Sequence, residues 1–320
     1  MLPDKDGSGG CGGGKATSGE DPSVNLFREY LRLRTVHPEP DYDAALKFLD
    51  RIAEELGLPM KKIEVCPGRV VSIMTWQGTN PALKSILLNS HTDVVPVYQE
   101  HWKYDAFAAV KDAEGNIYAR GTQDMKCVTI QYIQAIRRLK AEGKKFTRTI
   151  HLMFVPDEEV GGHKGMETFV KLPEFEELNI GFALDEGLAN PGEAFTEFEE
   201  QIKKWCKEAG EGITYEFAQK HMNQNLTSTD ESDPWWNTFS TTCKAMNMTL
   251  EKEIFPAATD SRFIRAVGLP AIGFSPMNRT PILLHDHNEY LNEQVFLKGI
   301  QVYENLVPAL ANVPALPCDA

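Results

Sequence analysis

The sequence predicts an α/β fold with a largely parallel central sheet and helices on both faces. Two observations carry that expectation. The runs Ile86-Leu87-Leu88, Thr149 to Val155 and Ile180 to Leu184 are mainly apolar rather than alternating throughout, as strands covered on both faces are. Around them lie segments whose apolar residues recur at helical spacing, so strands alternate with helices along the chain. With 320 residues, 42% of them hydrophobic, the chain can bury a sizeable core, and length alone suggests about two domains.

Residues 1–20 are Gly-rich and are expected to be disordered, with order beginning near Asp21. Leu26, Phe27, Tyr30 and Leu31 mark a first helix, and Pro38-Glu39-Pro40 a connector. Ala45, Leu46, Leu49, Ile52, Ala53 and Leu56 form the face of a second helix, with Gly57 where a C-terminal cap belongs. Val70 to Trp76 reads as a strand, and Gln77 to Pro81 as the turn leading into the strand that carries His91. Trp102 to Val110 is irregular. Val128, Ile130, Tyr132, Ile133, Ile136 and Leu139 make a mostly buried helix closed by Gly143. Further on, helices are expected at 199–209, 235–246 and 297–306, a strand at 213–217, an extended piece at 254–256 and a last strand at 271–275.

Composition narrows the partners. A formal net charge of -13 and a pI near 5.2 argue against nucleic acid, whose phosphates would be repelled. No apolar run is long enough to span a bilayer, so no membrane partner is expected. The six cysteines are scattered without a Cys-x-x-Cys pair, and the N-terminus has no apolar signal region. Both point to reduced thiols in the cytoplasm rather than disulfides or a zinc-thiolate site.

The chemistry gathers where strands and loops end. His91, Asp124, Glu158-Glu159 and Asp185-Glu186 occupy four such ends, and His285 lies in the polar run Leu283 to Glu289. Ligands in open α/β sheets bind outside the carboxyl ends of strands. Two histidines and three carboxylates would suffice for two zinc ions about 3.5–4 Å apart. A further carboxylate must accept a proton from water, and Glu158-Glu159 could divide those roles. Asp93, two residues after His91, is suited to fix its tautomer. His151 reads as a packed histidine inside a strand, and Trp235-Trp236 as helix packing. His37, His101 and His221 lack partners at useful spacing and read as surface residues.

His91-Thr92-Asp93-Val94-Val95-Pro96, Arg120-Gly121-x-x-Asp124-Met125-Lys126 and Asp157-Glu158-Glu159-Val160-Gly161-Gly162 resemble, in order and context, the di-zinc metallopeptidase and deacylase family. That family includes carboxypeptidase G, acetylornithine deacetylase and succinyl-diaminopimelate desuccinylase. Leu184-Asp185-Glu186-Gly187, Pro256 to Arg262 and Phe274 to Thr280 are most similar to its N-acyl-amino-acid amidohydrolases. The resemblance runs from about Asp21 to about Pro317 and implies a zinc-peptidase-like catalytic domain. It further implies two Zn2+ per chain and hydrolysis of small N-acyl-L-amino acids to a free amino acid and a carboxylate. By the same resemblance His91 and Glu186 would hold one zinc, with Asp185 as competitor to Glu186. Glu159 and His285 would hold the other, His285 being favoured over His287, and Asp124 would bridge. Glu158 would be the general base, Asp93 would orient His91, and Thr259 and Arg262 would face the substrate carboxylate.

Family members usually carry a second, inserted lid and dimerisation domain with a histidine in a Gly-x-x-Gly-His type turn. Here Phe198 passes directly to Glu199, and His221 stands in the wrong context. Residues 21–198 and 199–320 are therefore expected to be two parts of one catalytic domain, with the lid absent at about 198–199. Family members dimerise, and this chain is expected not to. The alternative function is a zinc-binding, non-enzymatic domain that acts as a binding or interaction protein.

Overall fold

Asp21 accepts a hydrogen bond from the Ser23 amide, and the fixed φ of Pro22 suits a first turn, so α1 (Pro22–Leu31) starts where the Gly-rich stretch ends. The computed structural model describes residues 19–187, 210, 225–250, 252 and 258–319. Most of the expected disordered N-terminus, the elements expected at 199–209 and 213–217, and the extended piece at 254–256 lie outside the described residues. Glu20, expected to be disordered, is held: its carboxylate lies 2.9 Å from both Arg28 and Lys111. Lys111 is too far along the chain for the local text to announce it.

α2 (Tyr42–Leu56) begins with the Asp41 side chain on the Ala44 amide and ends at Gly57, whose φ of 60° is the left-handed cap. Then follow β1 (Met60–Cys66), β2 (Arg69–Trp76), β3 (Ser85–His91), β4 (Val110–Lys111), β5 (Asn116–Tyr118), α3 (Lys126–Ala141) and β6 (Ile150–Val155). Short α4 (Met166–Phe169) and α5 (Pro173–Glu176) precede β7 (Ile180–Asp185). The C-terminal part holds α6 (Pro234–Ala245), α7 (Ser261–Ala266), β8 (Ala271–Gly273), β9 (Tyr290–Asn292) and α8 (Glu293–Ala311). The closing helix is thus longer at both ends than its apolar period implies.

The main sheet runs β1-β2-β6-β3-β7-β8. β3 pairs in parallel with β6 and β7, and β7 with β8, whereas β2 is antiparallel to both its neighbours. Successive side chains alternate between faces. Ile86, Leu88, Ile150, Leu152, Phe154, Phe182 and Leu184 join one core with α1, α2, α3, α6 and α8. Leu87, Met153, Val155 and Ala183 join a second core with α4, α5 and α7. Each of the Leu, Ile, Val, Phe and Met side chains among them contributes about 1.5–3 kcal/mol on burial, so the continuous apolar runs have a direct energetic cause. Trp235 stacks on Phe182, with ring centroids 5.5 Å apart, and is packing, as the sequence suggests. Among the described residues no helix is long and apolar enough to cross a membrane.

Two features were not legible beforehand. β1 is an edge strand whose Lys61, Lys62 and Glu64 hide its period. β4, β5 and β9 form a small antiparallel sheet from strands of two or three residues, too short to show a pattern. That sheet ties the loop before α3 to the segment that follows His285.

Candidate metal centre

β3, β6 and β7 run in parallel, so their C-terminal ends deliver His91, the turn Asp157-Glu158-Glu159 and Asp185-Glu186 to one edge. Asp124 comes from the loop before α3. Fully buried Glu289 shapes that loop by accepting the amides of Gly121 at Oε2 (3.1 Å) and Gln123 at Oε1 (2.6 Å), while Arg120 donates to Oε2 at 2.8 Å. Glu289 is a functional support that sequence reasoning did not single out. Its only signal was an acid set among ligand candidates immediately before a strand.

Asp124 stands between two imidazoles. Its Oδ1 is 2.9 Å from His91 Nε2, and its Oδ2 is 3.0 Å from His285 Nε2. His91 Nε2 is also 3.4 Å from Glu186, and His285 Nε2 is 3.0 Å from Glu159. Ligand atoms of His91, Asp124 and Glu159 lie within 4.8 Å of one another, as do those of His91, Glu158 and Glu186. His285 is 54% exposed, so the cluster opens to solvent on that side.

Charge is out of balance here. Burial, and then the Asp124 charge, push the Glu159 carboxyl up to about 7 and Glu186 well up. Burial does the same to Glu158. Asp124 goes the other way: burial opposes it, but hydrogen bonds from His285 and His91 hold it well below the usual carboxylate range. Burial opposes a charge on His91, and the nearby Glu186 and Asp124 outweigh it and raise the imidazole. Hydrogen bonds to Asp124 and Glu159 raise His285 to about 10. Glu159 Oε1 is buried without a hydrogen-bond partner. Four acids, two imidazoles, no thiolate and an orphaned acceptor make a donor set that fits divalent cations such as zinc.

The competing candidates separate by their partners. Asp185 is used within the protein: Asn89 Nδ2 donates to it at 3.0 Å, and the Ser261 amide and hydroxyl each donate at 2.8 Å. Glu186 faces His91. The His287 ring packs against His101, centroids 4.8 Å apart, while His285 reaches Asp124. His151 is buried between Thr75 Oγ1 and the Leu178 carbonyl, and burial pulls it down to about 4.

Two expectations change. His37 is not a surface residue: it is buried, and its Nε2 is 2.8 Å from Asp93 Oδ2. Its partner lies 56 residues away, brought close by the parallel bridge Val36↔Val94. Asp93 meets His91 Nδ1 through its backbone carbonyl at 3.0 Å, with its carboxylate 3.7 Å off. That carboxylate instead accepts the amides of Glu158 (3.2 Å) and Glu159 (3.1 Å). Arg262 donates to the Gly161 carbonyl at 2.7 Å, which sets it beside the Glu158 turn, and Thr259 Oγ1 accepts from the Ser261 amide at 3.3 Å. Between them Asp260 is buried with neither oxygen partnered, and burial raises it well above its ordinary value.

A sheet whose strand ends collect paired acids and histidines defines a metallohydrolase class, and residues 87–309 match the model of Peptidase family M20/M25/M40; the chain belongs to that family. Among curated relatives, aminoacylase-1 of Homo sapiens is 50% identical over 405 aligned positions, covering 96% of this chain and 99% of that protein. The alignment is longer than the 320 residues of the chain, so the relative carries residues with no counterpart here. Human carnosine dipeptidase 1 superposes with a TM-score of 0.67 at 12% identity, covering 90% of this chain and 96% of that one. A dinuclear metal-binding peptidase of the same family from Bacillus subtilis gives 0.62 at 13%, covering 91% and 98%. The last two likenesses concern the fold.

Proposed function

We propose that the chain is a di-zinc amidohydrolase that cleaves N-acyl-L-amino acids to a free amino acid and a carboxylate. The observation that carries this reading is Asp124 shared between His91 and His285, with Glu158 and Glu159 side by side at the same cluster. The 50% identity to aminoacylase-1 supports the substrate class and does not favour the non-enzymatic alternative. His91, Asp124 and Glu186 would hold one ion, and Asp124, Glu159 and His285 the other. When bound, two zinc ions would polarise an acyl carbonyl and acidify a water. Glu159 is engaged by His285, which leaves Glu158 as the group to take a proton and return it to the leaving amine. Burial raises the Glu158 carboxyl, which favours its holding that proton. Arg262 gives one N–H to Gly161 and retains further donors for the substrate carboxylate, beside Thr259.

The lid and dimerisation domain is proposed to be missing at about 198–199, a reading supported by the excess length of the alignment. A preorganised oxyanion donor is worth about 10²–10³-fold in rate, so its loss predicts slow turnover by a mainly monomeric, zinc-loaded chain in the cytoplasm. N-acetylmethionine hydrolysis, zinc content and sedimentation on one sample test this. Two zincs, a monomer and turnover about 10²–10³-fold below a lid-bearing relative are expected. Absence of turnover at full zinc loading would overturn the enzymatic reading, and a dimer with a relative's full rate would overturn the missing-lid reading.

A further inference from the structure

We infer that His37 is a positioning residue of the metal centre, fixing the Glu158-Glu159 turn relative to His91 through the Asp93 carboxylate. The inference rests on the zinc amidohydrolase reading above. Asp93 is the joint between the two ligand-bearing segments: its carbonyl meets His91 at the end of β3, and its carboxylate takes the amides of Glu158 and Glu159 after β6. It is fully buried, so no solvent can replace a lost partner. The third donor to that carboxylate is His37 Nε2, at 2.8 Å.

The ring is delivered rigidly. The His37 amide donates to the Val94 carbonyl at 3.1 Å, and the Val94 amide to the Thr35 carbonyl at 2.9 Å, so residues 35–37 are laced to the chain leaving β3. The turn it supports needs support. Asp157 has a φ of 75°, a left-handed conformation that persists only when its surroundings hold it. The first residue of α2 supplies a second prop, Tyr42, whose hydroxyl accepts the Asp157 amide at 3.0 Å. The contrast with His151 is informative: that buried imidazole bonds a threonine of β2 and the Leu178 carbonyl, whereas His37 bonds the carboxylate of the residue that joins the two ligand-bearing segments.

Partners of this kind typically control metal affinity or activity by about 10–100-fold. The test compares H37F, which keeps an aromatic ring without a donor, with H37Q, whose amide N–H can reach the same Asp93 oxygen. Zinc affinity is read by titration against a competing chelator, kcat and KM on N-acetylmethionine, and folding by thermal melting. H37F is expected to weaken zinc binding and lower kcat by about 10–100-fold each, with KM unchanged, and H37Q to recover most of both losses. Wild-type zinc affinity and kcat in H37F would overturn the inference. So would a loss that H37Q fails to recover, because it would assign His37 to packing. If the parent chain binds zinc but turns over no N-acyl amino acid, the functional reading fails while the zinc titration still judges His37.

Discussion

β3 and β6 end differently at their two extremities. At the N-terminal side, just before β6, Arg148 is fully buried and all five of its N–H groups find acceptors. Nε donates to Val313 O at 2.8 Å, Nη1 to Lys84 O and Asp319 Oδ1 at 2.8 Å, and Nη2 to Pro314 O at 2.6 Å and Asp319 Oδ2 at 2.7 Å. Its guanidinium lies over Trp235, 4.9 Å from the ring centroid. Asp319 is held well below the usual carboxylate range, first of all by that hydrogen bonding to Arg148. At the C-terminal side, Glu158, Glu159 and Glu186 are pushed up by burial, and Glu159 keeps an orphaned oxygen. The same sheet therefore carries a closed charge cluster at one edge and an open one at the other. A buried charge is tolerated when the protein itself satisfies it. Arg148 is so satisfied and acts as a clasp on the C-terminal segment. The acids around His91 are not, and a bound cation would supply the missing balance.

The largest effects should come from the open edge. Glu158→Gln should lower N-acyl-amino-acid hydrolysis by ~10²–10⁴-fold while zinc content stays near that of the parent, since a base is not a ligand. Glu159→Gln should instead release metal. Elemental analysis beside turnover would reveal whether the two roles are exchanged.

The closed edge should respond in stability alone. Arg148→Met leaves Asp319 with only the Lys84 and Leu316 amides and strands three carbonyls, and breaking a buried pair costs about 3–5 kcal/mol. Urea unfolding should register that loss, and zinc affinity measured on the folded fraction should not move. A variant that also lost zinc would show that the two edges are coupled through β3 and β6.

His151, on β6 near the closed edge, should have a smaller effect that depends on pH. Its folded value, about 4, lies below its ordinary 6.5, so between these values the native state binds fewer protons than the unfolded chain. Its contribution is present in full above pH 6.5, falls as the pH drops, and is lost by about pH 4. The span corresponds to about 3 kcal/mol. His151→Gln should flatten that part of the stability profile relative to the parent, and an unchanged slope would place the proton elsewhere.

The strand ends were readable because they are local. An apolar run followed by His91, Glu158-Glu159 or Asp185-Glu186 displays both burial and chemistry within a few residues. The helices of the first half were equally open to inspection, since their apolar period spans several turns. β1 and the strands of the small sheet were not, because a charged edge strand or a strand of two or three residues has no period to detect.

By itself the sequence determined the alternation of buried strands and amphipathic helices, the family resemblance, and the list of acids and histidines from which a metal centre could be built. Only the tertiary structure decided how they are used. It satisfied Asp185 with Asn89 and Ser261 and turned Glu186 toward His91. It set Glu289 beneath the Asp124 loop and drew His37 from its expected place on the surface to Asp93. The physical reason is the same in each case: a hydrogen-bond partner is chosen by distance in space, and these partners lie 56 to 169 residues apart along the chain.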